Sequence, residues 1–109
     1  MDFIVEGENT PLLQMGTPKP KETDIKIAEA IIPHISDGCM LQLGIGGMPG
    51  VIGEMIAKSD LKDLGMHTEL CGDAYYEMHK AGKLTNRLKN LHRNKSVTGI
   101  VLGSQSLYD

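Results

Sequence analysis

The chain contains no tryptophan and one phenylalanine in 109 residues, so it lacks the aromatic platform on which single-stranded nucleic acid stacks. It also lacks an excess of positive charge. The formal net charge is −3, whereas neutralising duplex phosphates requires a basic field, so no nucleic-acid partner is expected. Cysteine is scarce. Cys39 and Cys71 show no C-x-x-C spacing, which reads as a reduced intracellular protein. No apolar run approaches the roughly 20 residues of a membrane span, and the first residues, Met1 to Glu6, carry no basic signal-peptide region. No membrane partner is expected, and the location is read as cytoplasmic or an organelle matrix.

What is present fits one small domain or part of a larger one. A hydrophobic content of 40% is compatible with a modest core. Residues 1–22 hold Pro11, Pro18 and Pro20 together with Gly7 and Gly16, the composition of an extended linker. Helical spacing then begins at Thr23, with Ile25, Ala28, Ile32 and Ile35 on one face. Thr23 or Asp24 is expected to cap this helix, Pro33 to bend or shorten it, and Gly38 to end it.

Strand and helix alternate from there. Met40 to Ile45 reads as a buried strand, Gly46 to Gly50 as a turn, and Val51, Ile52, Met55 and Ile56 as the stripe of a second helix. Met66 to Cys71 reads as the next strand. Asp73 is expected to cap a helix over residues 74–80 that ends at Gly82. Residues 83–95 are basic and read as a solvated loop. Val97 to Leu102 is apolar on both faces and reads as an interior strand. This order predicts an α/β fold, an open parallel sheet with helical crossovers.

The glycine turn and the strand after it carry the chemistry. Glycines behind a strand expose bare backbone, and the free N–H groups of the following helix suit a phosphate or an oxyanion. The dinucleotide fingerprint is met only in part: Gly44 and Gly46 supply its first two glycines, and Pro49 stands where the third belongs. The phosphate-loop motif fails, because no Lys-Ser or Lys-Thr closes the turn. Strand alternation puts His67, Glu69 and Cys71 on one face. These three offer metal-ligand chemistry in principle, but His34, His79 and His92 add no ligand spacing, so no metal is assigned. Glu69, at the carboxyl end of a parallel strand, faces the crevice where α/β sheets hold ligands. It can anchor a ribose, or it can attack an activated acyl group while neighbouring N–H groups stabilise the oxyanion.

Three segments, LQLGIGGMPG (41–50), DLGMHTE (63–69) and GSQSLYD (103–109), together resemble the acetyl-CoA hydrolase/transferase family. Within it they are most similar to the 4-hydroxybutyrate and butyryl-CoA:acetate CoA-transferases. The resemblance implies that Glu69 is the catalytic nucleophile, forming a glutamyl-CoA thioester. It implies that Gly46, Gly47, Met48, Pro49 and Gly50 contact CoA, which enters as a substrate and is not permanently bound. It further implies acyl-CoA and a small carboxylate as substrates, a role in acetate and short-chain fatty acid metabolism, and a homo-oligomeric full-length form.

Family members have two α/β domains. The chain is therefore expected to be a fragment: residues 1–22 a linker from a missing first domain, and 23–109 the N-terminal part of the second. Such a fragment is expected to be inactive by itself. An acyl-CoA hydrolase of the same family and a non-catalytic nucleotide-binding α/β module are the alternatives.

Overall fold

The computed structural model describes residues 2–16 and 18–109. Three parallel strands, β1 (Met40–Leu41), β2 (Gly65–Cys71) and β3 (Val97–Val101), form a sheet in the order β1-β2-β3. Helices α1 (Glu22–Ile31), α2 (Gly47–Lys58), α3 (Asp73–Lys80) and the short α4 (Gln105–Tyr108) complete the fold. This is the α/β parallel arrangement that the alternation predicts.

The core lies between β2 and the helices. Ala28, Val51, Ile52, Ile56, Leu64, Met66, Tyr75 and Met78 are all buried. Alternation along β2 sends Met66 and Thr68 into this core and leaves His67 and Glu69 exposed. Helices α2 and α3 cross closely at Gly53, where a Cβ would come within 2.5 Å of the Ala74 Cβ. Only glycine permits that approach.

Several expectations need correction. The strand expected over residues 40–45 pairs with β2 only at Met40 and Leu41, and Met40 is exposed. The turn expected at residues 46–50 is shifted: Gly46 is the N-cap of α2, with φ +124°, and Gly47 to Gly50 already lie in its first turn. Helix α1 starts at Glu22 with Lys21 as N-cap, and the Asp24 carboxylate accepts the Lys21 N–H at 2.8 Å. Asp24 thus caps the helix from inside its first turn. Pro33 sits in a 3-10 turn, Ile32–His34, that ends this helix ahead of Gly38. Ile25 is exposed, because only the later part of that face reaches the core.

Asp73 is not the cap of α3. Gly72 holds that position, and the Asp73 carboxylate instead accepts the Oγ–H and N–H of Ser104. Strand β3 is an edge strand among the described residues, with Ile100 and Val101 exposed. The basic loop is irregular as expected, yet Asn86 and Lys89 within it are buried. Asn86 Oδ1 accepts the Met66 N–H, and Lys89 Nζ donates to the Met66 carbonyl at 2.7 Å. These side chains satisfy the edge of β2 before β3 begins.

Candidate active site

The carboxyl ends of the three strands converge on a cavity of about 380 Å³. Leu43 to Gly46 follow β1, Gly72 follows β2 and Leu102 follows β3, and all of these line it. Open α/β sheets place ligands at such a crevice. Met15, Gly16 and Pro18 of the extended N-terminal segment close one side. That segment is tied down by the Tyr108 hydroxyl, which donates to the Leu13 carbonyl at 2.8 Å, and by the Met15 N–H, which donates to Gly103 O at 2.9 Å.

Gly46 and Gly50 line this cavity. Gly47 and Gly50 line a neighbouring groove of about 780 Å³ along α2 and α3. Met48 and Pro49 line neither; Met48 packs against the core instead. The first turn of α2 offers the N–H groups of Gly47 and Met48 without intrahelical acceptors, while Pro49 has no N–H to offer. Gly47 has a packing reason as well, since a Cβ there would stand 2.9 Å from Asp24 Oδ2.

Glu69 lies three residues before Gly72 on β2, on the exposed face, and its side chain does not line the cavity. The chain therefore places the glutamate and the glycine turn on adjacent parallel strands without bringing the carboxylate and the turn's N–H groups into contact. The β3 register puts Gly99 beside Glu69, so no side chain crowds the carboxylate from that strand. His67 shares the face of Glu69, and its ring stands edge-on to His92 with centroids 6.2 Å apart. Cys71, further along that face, is partly buried, and this burial pushes its thiol pKa up. The described residues hold no group of three or more candidate metal ligands.

Two residues that sequence patterns did not single out hold the turn. The Tyr75 hydroxyl accepts the Leu43 N–H at 2.8 Å and donates to the Leu41 carbonyl at 3.0 Å. Thr68 Oγ1 reaches the Leu70 carbonyl at 3.0 Å and the Leu43 carbonyl at 3.4 Å. Burial raises the Tyr75 pKa, which keeps the hydroxyl protonated as a donor. The one available signal was a tyrosine shortly after the glutamate strand in a chain poor in aromatics.

No family model matches the chain. It is 46% identical over 109 residues to a probable butyrate:acetyl-CoA coenzyme A-transferase of Syntrophomonas wolfei, covering all of this chain and 24% of that protein. It is also 46% identical to a butyryl-CoA:acetate CoA-transferase of Anaerostipes caccae, covering 25% of it. Among solved structures, a 4-hydroxybutyrate CoA-transferase from Porphyromonas gingivalis superimposes with a TM-score of 0.83 at 34% identity, over 92% of this chain and 25% of that one. RipA from Yersinia pestis gives 0.86 at 30% identity, over 93% and 23%. The sequence resemblance to the CoA-transferases therefore runs along the whole chain and the fold resemblance along 92% of it, and the chain spans about a quarter of the length of the curated relatives it matches.

Proposed function

We propose that this chain carries the nucleophile and the first CoA-contacting turn of a transferase that moves CoA between a short-chain acyl-CoA and a carboxylate. Support comes from one observation above the others: an uncrowded glutamate, Glu69, sits on the strand adjacent to a glycine turn that opens a helix, in a chain whose relatives are named CoA-transferases.

In this reading the Glu69 carboxylate attacks the thioester carbonyl, and the CoA thiolate leaves. The product is an acyl-glutamyl anhydride. The thiolate returns to the glutamyl carbonyl and expels the first carboxylate, which leaves a glutamyl-CoA thioester. An acceptor carboxylate attacks that thioester and releases the thiolate again. The thiolate then attacks the acceptor's acyl carbon, and Glu69 is restored as a free carboxylate. No proton or redox partner is consumed. The N–H groups of Gly46, Gly47 and Met48 are assigned to CoA and to the developing oxyanions; Gly50, whose N–H bonds the Gly46 carbonyl, contributes open backbone surface, and Pro49 its fixed backbone.

Butyrate and acetate, named in the relatives, are the proposed acyl groups. A homo-oligomer in the cytoplasm, with residues 23–109 forming the N-terminal part of a second α/β domain, completes the proposal.

The test is mass spectrometry of peptides from a full-length protein containing this segment, incubated with butyryl-CoA. An adduct of CoA mass on Glu69, removed by acetate with formation of acetyl-CoA, is expected. CoA release at an unchanged rate without acetate would assign hydrolysis instead. Absence of any adduct and any CoA release would overturn the assignment.

A further inference from the structure

Strand β1 is short for the position it holds. It pairs with β2 at two residues and then runs unpaired through Gln42 to Ile45 into the N-cap of α2. That stretch includes Gly44, where an added Cβ would meet nothing within 4 Å, and Gly46, with φ +124°. Three glycines in four residues, Gly44, Gly46 and Gly47, leave the backbone many alternative conformations. An unheld turn of this composition would present its N–H groups in no fixed direction.

The Tyr75 hydroxyl supplies the missing hold. One O–H group carries one donor and two acceptor sites. Here it bonds both the Leu43 N–H and the Leu41 carbonyl, two backbone groups on a stretch where strand pairing stops. The ring is 2% exposed and rooted in the core. Tyr75 lies in the first turn of α3, which follows β2 directly through Gly72. It therefore ties the glycine turn to the same strand–helix unit that carries Glu69. The Thr68 hydroxyl is the weaker link, since its shorter bond goes to Leu70.

We propose that Tyr75 is a positioning residue: its hydroxyl fixes the glycine turn relative to Glu69 and so preorganises the N–H groups that receive CoA. The positioning follows from the hydrogen bonds; its purpose in CoA binding rests on the function proposed above. Preorganised donors act without reorganising at the moment of reaction.

Amide hydrogen exchange and 15N relaxation by NMR on the 109-residue chain separate these layers, with coenzyme A as the binding probe. In Tyr75→Phe, exchange at the Leu43 amide is expected to quicken at least tenfold, independently of added denaturant, and the 15N order parameters of Gly44 to Gly47 are expected to fall, while the amides of β2 stay unchanged. Thr68→Val should change both less. CoA should shift the Gly46–Gly50 region of the unmodified chain, and Tyr75→Phe should weaken that binding at least threefold.

Unchanged exchange at Leu43 with unchanged order parameters at residues 44–47, or a change shared equally with β2, would overturn the proposal. If Tyr75→Phe does not fold, an ester in place of the Leu43 amide removes the same bond and must lower the 15N order parameters at residues 44–47. Failure of CoA to shift the unmodified chain would count against the proposed function, and the hold on the turn would then be judged by exchange and order parameters alone.

Discussion

Asp73 Oδ1 accepts the Ser104 hydroxyl at 2.7 Å, and both Asp73 oxygens accept the Ser104 N–H, at 3.1 and 3.2 Å. This joins the first residue of α3 to the N-cap of α4, and so ties the carboxyl end of β2 to that of β3 beside the cavity. Hydrogen bonds to a charged acceptor contribute about 1.5–3 kcal/mol. Asp73→Ala is therefore expected to destabilise the chain by roughly 2 kcal/mol. Ser104→Ala, which keeps the N–H bond, should cost less. Urea unfolding of both variants measures the difference, and equal losses would mean that the hydroxyl bond carries the whole effect.

Glu69 stands apart from this framework. Its side chain is exposed. Surface substitutions away from special features usually change stability by less than about 0.5 kcal/mol. Glu69→Gln should leave the unfolding midpoint nearly unchanged and abolish CoA transfer in a transfer-competent protein containing this segment, because an amide is a poor nucleophile. Near-normal turnover in Glu69→Gln would remove the covalent mechanism.

Gly47 serves packing as well as access, which changes what a mutation there reports. A Cβ at Gly47 meets Asp24 Oδ2 at 2.9 Å, and that oxygen caps α1 through the Lys21 N–H. Moving it away removes a cap worth about 1 kcal/mol. Gly47→Ala is expected to cost about that much, and clearly less in an Asp24→Ala background. The double-mutant cycle checks the coupling. Additive losses would show that the two sites do not communicate.

Asp63 and Arg87 form a paired contact through both carboxylate oxygens. The guanidinium holds the Asp63 carboxyl below its usual range. A depressed folded value means that the stabilisation is present above the unfolded pKa of about 3.9 and is lost as pH falls through the lower folded value. Asp63→Asn should therefore differ from the parent chain by a constant amount above about pH 5, with the gap closing below about pH 4. Asparagine tolerates the left-handed backbone at this position (φ +60°), so the comparison isolates charge. Urea midpoints across pH 6 to 2.5 supply it. A gap that persists at the lowest pH would assign the effect to shape rather than ionisation.

Local signals were legible where they act locally. Strand β2, the α2 stripe at Val51, Ile52 and Ile56, and the end of α3 at Gly82 follow from periodicity and backbone preference. The end of β1 was not legible. Residues 42–45 are composed like a strand, but the Leu43 N–H donates to the Tyr75 hydroxyl, 32 positions away, and not to a neighbouring strand. The basic loop hid its structure for the same reason. Lys89 carries a charge that sequence patterns assign to water, yet its ammonium bonds the Met66 and Lys95 carbonyls. Glu69 was found through motif resemblance to a family. Its geometry alone, an exposed carboxylate on a strand, matches many surface residues.

The two cysteines should react unequally. Ser36 donates its N–H to Cys39 Sγ at 3.4 Å, and its hydroxyl lies 3.3 Å from the same sulfur. These bonds favour the thiolate and lower the Cys39 pKa. Burial does the opposite at Cys71, and the Asp73 carboxylate nearby adds to it. The thiolate is the reacting form. Iodoacetamide at neutral pH is therefore expected to label Cys39 severalfold faster than Cys71, as read by timed peptide mapping. Ser36→Ala should slow Cys39 without changing Cys71. If Cys71 reacts first in the folded chain, the β2 face around Glu69 is more open than its burial implies, and the uncrowded setting assigned to that glutamate would extend to the end of the strand.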